Sequence, residues 1–127
     1  MAFHDIMERP ARGEMIILDG ALGTEIRRRS GDTGLSDLAV TRMLESPNLI
    51  REIHADYIRA GADVITANTY DCNQYALSLD GLDAEMSDSL TRMAMELAIN
   101  ARNASRSDGV IVAGSLGPLA SDYDPND

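Results

Sequence analysis

The chain has 127 residues, 44% of them hydrophobic and 25% charged, with a formal net charge of -10. That composition fits a globular domain with a core of its own and excludes a disordered chain. The acidic balance is relieved only by the short run Arg27-Arg28-Arg29, which reads as a solvated helix end, so nucleic acid and anionic membrane surfaces are disfavoured as partners. No apolar run approaches the ~20 residues of a membrane span. The acidic first fifteen residues contain no apolar core of a secretory leader. A single cysteine, Cys72, excludes an internal disulfide and suits a reducing cytoplasm, which is the expected location.

Met15-Ile16-Ile17-Leu18 is a compact apolar run ended by Asp19-Gly20 and reads as a first strand. A short helix is predicted over Thr24 to Arg29, with Thr24 as its cap and the arginines in its last turn, where cations favour the helix dipole. Gly31 to Ser36 is loop-like, and Leu35 to Leu44 has mixed helical spacing. Ser46-Pro47 is a helix start, serine at the N-cap and proline at the first helical position. That helix carries Leu49, Ile50, Ile53, Tyr57 and Ile58 at apolar spacing and ends at Gly61, which suits a left-handed position.

Val64-Ile65-Thr66-Ala67 is too short and too β-branched for another helix and reads as a strand buried on both faces. Tyr75 to Leu79 reads as a helical turn interrupted by Gly81. Asp83 is placed to cap a long helix with Met86, Leu90, Met93, Leu97, Ala101 and Ala104 on its apolar stripe. Asp108-Gly109 turns the chain into Val110-Ile111-Val112-Ala113, a third buried strand, and a polar tail runs from Ser121 to Asp127. Strand–helix alternation without hairpin signals demands a parallel α/β sheet with right-handed helical crossovers. Residues 1–127 form a single unit with neither repeat nor linker.

In such folds chemistry is placed at the carboxyl ends of the strands. Asp19-Gly20 either presents an acid to a ligand or makes a simple Asp-Gly turn. Asn68, Thr69 and Tyr70 supply an amide, a hydroxyl and a phenol at the second strand tip. They either cap the next segment or shape a pocket, and the small, polar flanking tips favour the pocket. Gly20 to Thr24 lacks both the lysine of a phosphate loop and the glycine spacing of a dinucleotide site. His54, on a largely apolar helix face, is expected to be a hydrogen-bonded packing residue. Cys72, with neither base nor metal partner beside it, is expected to be a bystander or to support the site residues from behind.

Ile17 to Ile26 (ILDGALGTEI), Ser46 to Tyr70 (SPNLIREIHADYIRAGADVITANTY) and Ala113 to Pro118 (AGSLGP) together resemble the amino-terminal part of the homocysteine S-methyltransferase family. That family includes S-methylmethionine-dependent and betaine-dependent enzymes and the homocysteine module of cobalamin-dependent methionine synthase. The resemblance implies the amino-terminal part of a (β/α)8 TIM barrel, about three βα units. It also implies transfer of a methyl group from a donor to homocysteine, forming methionine, with zinc binding the substrate sulfur. A free thiol has a pKa near ~8.5 and attacks as thiolate, so a Lewis acid raises its reactivity at neutral pH. By motif, Asp19 holds the homocysteine amino group, Gly20 and Ala21 line the amino-acid site, Asn68 and Thr69 shape the mouth, and Tyr70 stands beside the sulfur.

The family binds zinc through three cysteines, and this chain has one. A full barrel needs ~250 residues. The expectation is therefore a domain incomplete at its carboxyl side, inactive alone, with no catalytic or metal-ligating residue of its own. Its open sheet is expected to favour self-association. The alternatives are a fragment of another TIM-barrel enzyme, such as an aldolase or isomerase, and a non-catalytic α/β interaction module.

Overall fold

The structure, a computed structural model, describes residues 2–31, 38–79, 81–105 and 109–118. In chain order it runs α1 (Ala2–Glu8), a 3-10 helix (Arg9–Arg12), α2 (Leu22–Ser30), α3 (Leu38–Glu45), α4 (Pro47–Arg59), β1 (Val64–Thr66), α5 (Gln74–Leu79), α6 (Ala84–Ala104) and β2 (Ile111–Ala113). β1 and β2 pair in parallel, with Val64 opposite Ile111, Ile65 opposite Val112 and Thr66 opposite Ala113. The expected loop over residues 32–36, the Asp108 turn position and the tail from Ser121 lie outside the described residues.

The first expected strand, Met15 to Leu18, is reduced to one parallel bridge between Leu18 and Val64. A carboxylate interrupts the ladder. The Ile17 N–H donates to Asp63 Oδ2 at 2.9 Å instead of to a strand carbonyl, while Ile17 O accepts from both Asp63 N and Val64 N. Arg9 completes the clamp, donating to Asp63 Oδ1 at 2.6 Å and to Met15 O at 3.0 Å. Met15, Ile17 and Leu18 remain 80%, 51% and 66% exposed, so this apolar run does not form a buried strand.

β1 also departs from burial on both faces, because Ile65 is fully buried while Val64 and Thr66 are half-buried. Ile65, Ala67 and Val112 pack on Ile58 of α4, Ala62 in the turn after it, and Ala98 and Ala101 of α6. β2 is half-buried throughout. The sheet therefore has one face closed by helices and a second that is partly open.

A larger apolar cluster joins the helices, with Ile26, Met43, Ile50, Ile53, Leu77, Leu90 and Ala94 at its centre. α6 begins as its sequence dictates, with Asp83 Oδ1 accepting from Met86 N at 2.9 Å. α4 ends as predicted at Gly61, whose φ of +104° few other residues adopt. Two caps differ. α2 starts at Leu22 with Ala21 as N-cap, so Thr24 lies inside the first turn. Ser46 is the N-cap of α4 without a side-chain cap bond. Its carbonyl instead accepts from Leu49 N, and Pro47 supplies the preset φ that starts the helix.

Candidate functional site

Asp19 leaves the bridged segment at the level of β1, its N–H donating to Val64 O at 2.9 Å. Its carboxylate then turns onto β1. Oδ2 accepts from Thr66 N at 2.7 Å and Oδ1 accepts from the Thr66 hydroxyl at 3.0 Å. The next two residues are held from behind by Tyr57 of α4. The phenol donates to Ala21 O at 3.1 Å, and a Cβ at Gly20 would stand 2.7 Å from the phenol oxygen. A side chain at position 20 would therefore displace the Tyr57 phenol. Burial first, and then the negative charges of Glu25 and Asp19, push the Tyr57 phenol pKa up, so it remains a donor.

A cavity of about 400 Å³ opens here, and Asp19, Gly20, Thr66, Asn68, Tyr70 and Ser115 are among its lining residues. Of the six residues expected at the site, Asp19, Gly20, Asn68 and Tyr70 meet at this cavity. Ala21 does not line it and contributes its carbonyl to the Tyr57 bond instead. Thr69 also turns away. Its hydroxyl donates to Ser115 O at 2.7 Å and accepts from Ser115 N at 2.8 Å, tying the tip of β1 to the loop after β2.

That tie shapes a second cavity of about 530 Å³ on the α6 side, which shares Tyr70 and Ser115 with the first and adds Met95 and Leu116. Gly117 presses on the shared wall, where a Cβ would stand 2.5 Å from Tyr70 O. Tyr70 is 37% exposed between the two spaces.

Thr66, Tyr57 and Ser115 are the site residues that sequence reasoning passes over. Threonine in VITA reads as β-branched strand filler and Tyr57 as one of the apolar positions of α4. Ser115 was visible only inside the Ala113 to Pro118 block. The acidic lining, Asp19 with Asp71 at the rim, gives the first cavity a chemistry suited to a cationic group.

His54 corrects an expectation. It is fully buried, as a packing residue should be, but neither ring nitrogen finds a hydrogen-bond partner among the described residues. Burial drives its pKa below the ordinary value, and the charge of Asp19 pulls in the opposite direction. Cys72 is buried, its thiol donating to Asn68 O at 3.4 Å. Burial, aided by the charge of Asp71, pushes that thiol up to about 11. A zinc site needs three or four such ligands together. Among the described residues no group of three histidine, cysteine or acidic side chains is arranged to hold a metal ion.

Comparison with known proteins bears on the family of the chain. The homocysteine S-methyltransferase family pattern matches residues 16–126. A homocysteine S-methyltransferase of Escherichia coli is 36% identical over 110 residues, which cover 83% of this chain and 36% of that protein. A selenocysteine Se-methyltransferase of Brassica oleracea is 36% identical over 91 residues, covering 72% of this chain and 26% of its own length. The crystal structure of the Escherichia coli homocysteine methyltransferase MmuM in its metallated form superposes with a TM-score of 0.78 at 33% identity, over 93% of this chain and 42% of MmuM. The chain thus spans about a third of the length of the curated relatives it matches. With its mixed helix–strand fold matched to that structure and its sequence matched from Ile16 onward, the chain belongs to the homocysteine S-methyltransferase family.

Proposed function

We propose that the chain is the amino-terminal part of a homocysteine-binding (β/α)8 domain, contributing about three βα units and one wall of the amino-acid pocket. The domain would belong to a cytoplasmic methyltransferase that moves a methyl group from a donor to the sulfur of homocysteine, forming methionine. The observation that carries this reading is the Asp19 carboxylate at the mouth of the 400 Å³ cavity, fixed by Thr66 and joined there by Gly20, Asn68 and Tyr70. A carboxylate so placed is a charge-assisted acceptor for the substrate ammonium, and held geometry is most of what an in-line methyl transfer asks of a protein. The family title supports homocysteine as the substrate, and the metallated form of MmuM supports a metal in the complete enzyme. Zinc is the metal proposed for that enzyme. The described residues here do not fit a zinc site, so the isolated chain is expected to bind without turning over.

The test is calorimetric titration of L-homocysteine into the purified chain and its Asp19→Ala variant. The reading expects saturable binding that weakens at least ~10-fold in the variant, the worth of one charged hydrogen bond. Equal binding by both proteins would remove Asp19 from the site.

A second reading, an interaction module that pairs through its open sheet, draws on one observation. Met15, Ile17 and Leu18 expose apolar side chains beside a strand segment paired on one side. Such edges and patches template association. The two readings are compatible.

A further inference from the structure

The two contacts between Asp19 and Thr66 differ in what they accomplish. The backbone N–H of Thr66 reaches Oδ2 at 2.7 Å, a contact any non-proline residue at position 66 could make. The hydroxyl reaches Oδ1 at 3.0 Å, and only threonine or serine could supply it. One contact pins a single oxygen and leaves the carboxylate free to swivel about it. Two contacts, one per oxygen, hold the side chain in one rotamer.

We infer that Thr66 is the positioning residue of the amino-acid site, its hydroxyl holding the Asp19 side chain in the rotamer whose remaining acceptor positions face a substrate ammonium in the cavity. This rests on the reading of the cavity as the homocysteine site. An ionised carboxylate offers about four acceptor positions, and Thr66 uses two of them. The rest remain for a ligand. Both residues line the same cavity, so an orientation set by Thr66 is an orientation the ligand meets. The hydroxyl cannot be replaced by a methyl group without consequence. A carbon at 3.0 Å from Oδ1 stands inside ordinary carbon–oxygen contact, and the carboxylate would have to turn away.

Thr66→Val and Thr66→Ser separate this role from a structural one. Valine keeps the β-branched shape and the backbone N–H but loses the hydroxyl, whereas serine keeps the hydroxyl and loses the methyl. Three-bond couplings to the Asp19 carboxyl carbon, measured by NMR on the free full chain, report the Asp19 side-chain rotamer without any ligand. The wild type and Thr66→Ser should show a single rotamer, and Thr66→Val a mixture. Should Thr66→Val fail to fold, Thr66→Ala gives the same loss of hydroxyl without the methyl contact and should also show a mixture.

Titration with L-homocysteine should give matching dissociation constants for wild type and Thr66→Ser within about 2-fold, and one about 10-fold weaker for Thr66→Val. Averaged couplings in the wild type would overturn the inference. So would a single rotamer with unchanged affinity in both the valine and alanine variants. A fixed rotamer in wild type, lost in those variants, with no homocysteine binding by any protein would sustain the positioning role and refute the substrate reading.

Discussion

Gly20 and Tyr57 form an interlocked pair in which the residue type at one position is dictated by the other. Because a Cβ at Gly20 would meet the phenol oxygen at 2.7 Å and two ring carbons at 3.0 and 3.1 Å, Gly20→Ala forces the Tyr57 ring to shift and strains its bond to Ala21 O. Overpacking of this kind costs about 1–3 kcal/mol, and thermal unfolding of the variant should show it as a lowered Tm. Tyr57→Phe in the same background removes the nearest atom and should recover part of the loss. An unchanged Tm in Gly20→Ala would mean that the two residues do not touch.

His54 supplies a pH dependence. Its folded pKa lies below the ordinary value near 6.5, so the folded state holds the neutral ring and binds fewer protons than the unfolded chain. The stability this preserves is present above the unfolded pKa and is lost as pH falls below about 6.5 toward the folded value. The Tm measured from pH 7.5 down to 5 should therefore decline, and His54→Leu should flatten that decline. Glu25, held down to about 2 by Arg28 and Arg29, adds acid sensitivity only below the ordinary carboxylate value of 4.5. The two effects occupy separate windows. A slope unchanged by His54→Leu would show that another group is responsible.

At the scale of elements, α4 carries most of the organisation. Its buried Ile50 and Ile53 join the helical cluster, Ile58 joins the cluster under β1, and Tyr57 reaches over to the Asp19 turn. Ile53→Ala should cost about 2–5 kcal/mol, read as a shift in the urea midpoint with an unchanged slope. This much was legible in the residues, because the spacing Leu49, Ile50, Ile53, Tyr57, Ile58 and the glycine that follows can belong only to a helix with one apolar stripe. Asp83 was legible for the same reason, standing immediately before the long periodic run of α6.

The Met15 to Leu18 segment was not legible. Its composition is that of a strand, but Asp63, 46 residues away, accepts the Ile17 N–H and replaces ladder with side chain. The Thr66 bond to Asp19 spans 47 residues and was hidden in the same way. Hydrophobic pattern reports burial and period, and it is silent on which polar group from a distant segment will meet which backbone atom. The Arg9–Asp63 clamp gives this a measurement. In Asp63→Ala the Ile17 amide should exchange with solvent faster than in the wild type, because its acceptor is gone. Retained protection at Ile17 would place its partner elsewhere.

For the whole molecule, the central claim is that a chain with about a third of the length of its relatives still carries one wall of the family's amino-acid pocket. The Asp19 turn, the tip of β1 and the loop after β2 converge on one cavity, and the bonds between Thr69 and Ser115 hold two of those segments together. The exposed apolar residues of the first segment bear on a separate property. Sedimentation should show concentration-dependent association, relieved when Ile17 and Leu18 are replaced by polar residues, because contiguous apolar surface drives such contacts. A concentration-independent monomer would rule out the open sheet as an interface.

The pocket itself is tested most directly by mapping L-homocysteine onto the chain with amide chemical shifts, residue by residue. Saturable shifts should concentrate at Gly20, Asn68, Tyr70 and Ser115, and in Asp19→Ala they should need at least ~10-fold more ligand to saturate. Shifts confined to other surfaces, or none at saturating ligand, would contradict it.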